Sequence, residues 1–337
     1  MLESVFENER IADRRRFLKA AAALAGGVAL AGTVQAAAGA DPSAIGNAAT
    51  KETPLMRIGI LSKTFSPSIV EASFDAVRAA GLDCVQLNLE SAGLAGMPDE
   101  IPLDTLRRIR RAAEDRRITI ASVQGTFNMS HPDAEHRRTG LRRLRVLATA
   151  CGELGTSIIG VCIGTRDRQN MWRRHADNDT PEAWRDMTAC VREAVEIAKQ
   201  AGVVLAVEPE VNNVVDSAQK ARRLLDEVRS PHLKITMDAA NIFHAGELAR
   251  MREVLDQAFA LLGKDIVLAH AKDLLHDGDA GHEAAGHGKL DYDRYLSLLH
   301  GCGFKGPLLL HGLTEAQVPG CVAFLRDKLA RVAAAAG

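Results

Sequence analysis

The sequence predicts a (β/α)8 TIM barrel, and three observations carry that expectation. From Met56 onward, short aliphatic or β-branched runs alternate eight times with longer amphipathic stretches. Several amphipathic stretches end on a glycine followed directly by the next strand candidate, at Gly81, Gly155, Gly202 and Gly303, where a left-handed residue can stop a helix. Eight such units in about 280 residues match the size of one barrel. A doubly wound open sheet is the alternative, but no strand candidate runs into a GxGxxG turn.

Taken in order, the strand candidates are 57–61, 84–89, 118–123, 157–162, 203–208, 234–238, 266–271 and 307–311, each short and built mainly of aliphatic or β-branched residues. Between them the helical period marks 103–115, 141–154, 181–201, 217–228, 248–262 and 292–301. The longest insertion, 164–180, follows the fourth strand, so it belongs to the end of the barrel where ligands bind. The arginine-rich stretch 107–117 reads as the solvated face of a helix, partly neutralised by Glu114 and Asp115.

Composition narrows the function classes. Hydrophobic residues make up 47% and charged residues 25%, which are globular values. The 42 Lys and Arg against 43 Asp and Glu give a net charge of -1, without the cationic surplus that phosphate backbones demand, so no nucleic-acid partner is expected. Cys84, Cys151, Cys162, Cys190, Cys302 and Cys321 form no CxxC pair, which speaks against a zinc knot or a disulfide framework.

The first forty residues are different in kind. Arg14, Arg15, Arg16, Phe17, Leu18 and Lys19 precede an uncharged Ala- and Gly-rich run from Ala20 to Ala40, the layout of a secretory signal with small-residue cleavage sites after Ala36, Ala38 or Ala40. The string Arg-Arg-x-Phe-Leu-Lys resembles a twin-arginine export signal, with Asp13 departing from its usual Ser or Thr. An uncleaved membrane-anchoring helix is the other reading. The resemblance implies the twin-arginine machinery as a partner, a periplasmic or otherwise extracytoplasmic address, and a protein exported already folded. The expected organisation is a signal over 1–40, a connector over 41–55, a barrel over 56–332 and a tail over 333–337; the assembly state, a homo-oligomer included, is left open.

Four successive strand candidates carry a residue of a metal-ligating type at their end or one short of it: Glu208, Asp238, His270 and His311. One polar strand end is ordinary, since it can start a loop or cap a helix. Four in register on neighbouring strands put two carboxylates and two imidazoles in one apolar setting, and burying them calls for a shared partner such as a divalent cation.

This strand-end set resembles the xylose isomerase-like TIM-barrel family of sugar and sugar-phosphate isomerases and epimerases, whose architecture the abasic-site endonucleases share. The resemblance covers roughly residues 56–332 through strand register rather than one short motif. It implies one divalent ion held by Glu, Asp, His and a final Glu, with the two glutamates of the epimerases shuttling a proton through an enediolate. Glu208, Asp238 and His270 match by position, whereas His311 stands where the family has its final Glu. An imidazole there favours Mn, Zn, Co or Fe over Mg and can itself serve as a general base, but it breaks the two-carboxylate relay. Glu315, one helical turn later, is expected at the surface.

The remaining candidates follow strand ends. Lys272 lies two residues beyond His270 on the same strand face and either neutralises an enolate oxygen, binds a carboxylate or phosphate, or pairs with Asp273. The expected catalytic set is Glu208, His311 and Lys272. Asn241 and Glu210, with Asn212 and Asn213, are expected to meet substrate hydroxyls, as are Asn128 and His131 after strand three. Arg166, Trp172, Arg173 and His175 fall in the insertion after strand four, where an aromatic can cover the apolar face of a sugar. His282 and His287 lie in a glycine-rich loop and are expected to be solvated. The expected activity is metal-dependent isomerisation or epimerisation of a small sugar, keto-sugar or polyol. A lyase using the same enolate, a sugar-binding subunit on a decayed barrel and, last, an abasic-site endonuclease are the alternatives.

Overall fold

The computed structural model describes residues 56–65 and 69–336. The expected export signal, with Arg14, Arg15, Phe17, Leu18 and Lys19, and the expected 41–55 connector lie outside the described residues. Eight parallel strands close into a barrel: β1 Ile58–Leu61, β2 Cys84–Leu87, β3 Thr119–Gln124, β4 Ile158–Cys162, β5 Val204–Glu208, β6 Leu233–Asp238, β7 Ile266–Asp273 and, after a two-residue strand β8 Glu283–Ala284, β9 Leu308–Leu310. Pairing runs sequentially from β1 to β7, and β9 closes the ring between β7 and β1, while β8 adds antiparallel to the end of β7.

The outer layer comprises α1 Val70–Ala79, α2 Leu103–Asp115, α3 Ala134–Leu154, α4 Pro181–Ala201, α5 Ala218–Val228, α6 Met251–Leu262, α7 Tyr292–Gly301 and α8 Val318–Ala336. Each helix turns an apolar stripe onto the sheet, and those stripes with the outward strand residues form the main core. Inside the barrel a smaller cluster of Leu61, Cys84, Ala206, Leu268 and Leu309 fills the interior beneath the strand ends. The six cysteines are all free thiols.

Local chemistry explains where elements begin and stop. Thr180 caps α4 through its hydroxyl and Pro181 takes the first helical position, which costs no hydrogen bond there. Gly155 and Gly202 end α3 and α4 in the left-handed conformation, at φ 73° and 69°. The expected start of α3 at 141 is seven residues late. Its first two turns are polar and carry no apolar stripe, but the Asp133 side chain accepts the Glu135 N–H at 2.8 Å and starts the helix there. The expected tail at 333–337 continues α8 as helix through Ala336.

Candidate metal centre and substrate cavity

Glu208 and Asp238 are the last residues of β5 and β6, His270 sits within β7 directly beside Asp238, and His311 follows β9. Chain alternation turns all four side chains into the barrel mouth, where one ligand atom from each falls within 4.8 Å of the others. His270 Nδ1 lies 3.5 Å from both Glu208 Oε2 and Asp238 Oδ2, and His311 Nδ1 lies 3.5 Å from the same Asp238 oxygen. The Lys272 ammonium is 3.3 Å from that oxygen as well.

Each of the first three groups is held by its other polar atom. Asn241 Nδ2 donates to Glu208 Oε1 at 2.7 Å, and the Ala240 N–H donates to Asp238 Oδ1 at 3.1 Å. His270 Nε2 meets Gln86 Oε1 at 3.2 Å, the Gln86 amide donates to Gln124 Oε1, and the Gln124 amide donates in turn to the Thr126 hydroxyl. Gly160 on β4 makes room for this relay, because a Cβ there would stand 3.2 Å from Gln86 and 3.3 Å from Gln124. From behind, the Tyr295 hydroxyl lies 3.0 Å from the carbonyls of both Met237 and His270, pinning the ends of β6 and β7 together.

The inward atoms are the unsatisfied ones. Asp238 Oδ2, His270 Nδ1 and His311 Nδ1 are buried without a hydrogen-bond partner. Orphaned polar atoms of this kind are costly, and three that converge with a carboxylate oxygen fit a shared cation with N and O ligands. The donor set therefore fits one divalent metal ion.

Charge is balanced within the cluster. Burial alone would raise the Asp238 carboxyl, but Lys272 with His270 and His311 outweighs it and holds that group well below its usual range. For Glu208 the His270 charge likewise overrides burial and lowers it. Burial would depress His270, yet the Glu208 and Asp238 charges carry it up to about 9. His311 goes the other way, to about 4, through burial in the cleft wall and the positive charges of Lys272 and His270. Burial and then the Glu208 charge push Glu210 up to about 8. The ion pair of Lys272 with Asp273 that the sequence allowed is not made: Asp273 instead accepts the N–H groups of Leu274, Gly286 and Leu290 and ties down the loop after β7.

Above the cluster lies a cavity of about 620 Å³. Glu208, Glu210, Asn241, His270, Lys272, His311 and Trp172 all line it, with Trp172 half-exposed at the rim. Other expected contacts face elsewhere. Asn128 spends its amide on Thr165 O and the Ser130 N–H, and Asn213 accepts the Gly164 N–H, while its neighbour Asn212 is the one that reaches the cavity. His131 stacks on His136 at 4.0 Å and bonds the backbone of Asp133 and Arg168. Arg166 is buried against Ser130 O, Asp186 and Glu182, Arg173 pairs with Asp167, and His175 accepts the Asp177 N–H. These residues shape the loop after β4 rather than touch the cavity. His282 lines the rim, His287 and Glu315 are exposed away from it.

Sequence reasoning missed several lining groups. Gln124, Thr126 and Cys162 come from β3, the residues after it, and β4, and Cys162 Sγ lies 3.8 Å from Glu208 Oε2. Gln86 could have been noticed as the one polar residue inside an otherwise apolar β2.

Comparison with known proteins agrees with this architecture. The family described as "Xylose isomerase-like TIM barrel" matches residues 74–327. The L-ribulose-5-phosphate 3-epimerase UlaE of Escherichia coli O157:H7 (strain EC4115 / EHEC) is 27% identical over 208 residues, spanning 61% of this chain and 68% of that protein. A solved D-tagatose 3-epimerase-like protein is similar with a TM-score of 0.67 at 16% identity, covering 84% of this chain and 100% of that one. The 3-keto-D-glucoside 4-epimerase YcjR from E. coli is similar at 0.61 and 18% identity, covering 83% and 99%.

Proposed function

The chain belongs to the xylose isomerase-like TIM barrel family, and from that premise we propose that it is a divalent-metal-dependent isomerase or epimerase of a small sugar, keto-sugar or polyol. The observation that carries this reading is the convergence of three orphaned buried atoms, on Asp238, His270 and His311, with Glu208 Oε2 at one point of the barrel mouth. Bound there, a divalent cation, with Mn, Zn, Co or Fe favoured over Mg by the two imidazoles, supplies the Lewis acidity that polarises a carbonyl and acidifies the neighbouring C–H.

The chain's own groups do the rest. Glu208 is ionised, and Asn241 fixes the orientation of its carboxylate, which suits it to take a proton from the α carbon. Lys272 keeps its ammonium in the buried cavity wall, where it stabilises the oxyanion of an enediolate. His311 is a neutral imidazole at neutral pH, so a ring nitrogen lone pair is available to the ion without loss of a proton. Export by the twin-arginine route would deliver the protein folded, and a free or oxidised sugar is then the expected substrate rather than a cytoplasmic sugar phosphate.

Elimination is the second reading. Glu210, held protonated near neutral pH by burial beside Glu208, is placed in the cavity wall to donate to a leaving oxygen. Chelation followed by metal restoration tests both readings, and product mass separates them: epimerisation conserves it, elimination does not. Turnover unchanged by a chelator that strips the ion would remove the metal-dependent reading.

A further inference from the structure

The cleft continues past the metal-ligating cluster. Beyond His311 lies a second cavity of about 500 Å³, which meets the first at Leu61, Lys63, His282 and His311. Its outer walls are polar: Thr64 after β1, Glu283 on β8, and Thr314 and Gln317 after β9. A six-carbon sugar takes up roughly 200 Å³ at close-packed density, so one monosaccharide would leave most of even the first, about 620 Å³ cavity to water. Binding cavities normally enclose most of their ligand's surface.

The charge of the second lobe decides what extends into it. Lys63 and Glu283 both line the lobe, so the wall offers one positive and one negative group and a series of hydroxyl, amide and backbone partners. That balance suits a neutral, hydroxyl-rich unit and gives a phosphate no net attraction. Because His311 belongs to the cluster and also lines both lobes, a group bound in the second lobe sits next to the reacting end.

We propose that the substrate is a glycoside: the reacting sugar occupies the Glu208–His270 end while still joined to a second sugar unit in the lobe lined by Glu283 and Thr314. This rests on the sugar-enzyme reading above. The test uses the full metal-loaded protein and isothermal calorimetry with D-glucose, D-glucose 6-phosphate, maltose, cellobiose and trehalose. At least one disaccharide is expected to bind tenfold or more tightly than glucose. Glu283→Trp and, from the opposite wall, Thr314→Trp should each abolish that advantage while glucose binding stays as in the parent. Equal binding of glucose and every disaccharide, tighter binding of glucose 6-phosphate, or an advantage that survives both blocking substitutions would overturn the glycoside inference and leave the sugar-enzyme reading intact. Binding of none of the five would count against that reading itself, and the inference would fall with it.

Discussion

His311 Nδ1 lies 3.5 Å from Asp238 Oδ2, and both atoms are buried without a hydrogen-bond partner. An imidazole nitrogen and a carboxylate oxygen that face each other at that separation, with His270 Nδ1 also 3.5 Å from the same oxygen, leave their lone pairs aimed at a common point. His311, which stands where the family resemblance implies a final glutamate, therefore converges with Glu208, Asp238 and His270 rather than lying apart from them.

Asn241 acts on the centre through Glu208. Asn241→Ala removes the donor at 2.7 Å from Glu208 Oε1, and metal affinity should fall about 10- to 100-fold. Competition against a fluorescent chelator reads this directly, and an unchanged affinity would show that Glu208 needs no such anchor.

Metal uptake should release protons in a defined way. In the metal-free protein His270 keeps its proton up to about pH 9, whereas His311, at about 4, is already neutral. Near pH 7 one proton should leave per ion bound, and apparent affinity should rise about tenfold per pH unit until it levels off near pH 9. The raised His270 value also stabilises the metal-free fold below its ordinary 6.5, a contribution lost as pH rises through about 9. Calorimetry in buffers of different ionisation enthalpy counts the proton; a count of zero refutes the assignment.

Lys272 stands in for part of the missing positive charge when no ion is bound. Lys272→Met leaves the buried Asp238 carboxylate short of a partner 3.3 Å away and should cost the metal-free protein about 3 kcal/mol. Denaturant unfolding with chelator and then with Mn²⁺ checks this, because added ion should recover most of the loss. A loss that the ion does not reverse would mark Lys272 as a packing residue.

Trp172 is expected to cover substrate without touching the ion. Trp172→Ala should raise KM several-fold with kcat and metal content unchanged, as loss of uniform binding does. A fall in kcat alone would place Trp172 in the chemistry instead.

Much of this was legible in the sequence because each feature has a local cause. The bounds of α2, α4 and α7 coincide with expectation, since apolar stripes, Thr180-Pro181 and terminal glycines set them. Glu208, Asp238, His270 and His311 stood out as polar ends of apolar strands, and the closed ring of β strands brings them together. Loop residues were harder to read. Asn128, Arg166 and Asn213 look like ligands for hydroxyl groups, yet irregular backbone has N–H and C=O groups of its own to satisfy, and these side chains satisfy them. Gln86 could not be tied to His270 from sequence, because 184 residues separate them and only barrel closure makes them neighbours.

The most direct test of the metal centre compares metal content in the protein purified from its own compartment with that of His311→Ala. The parent should carry one divalent ion per chain, and the variant should bind it at least about 100-fold more weakly and emerge largely metal-free. A variant that retains full occupancy would show that His311 is not a ligand and that the four-residue centre does not exist as described.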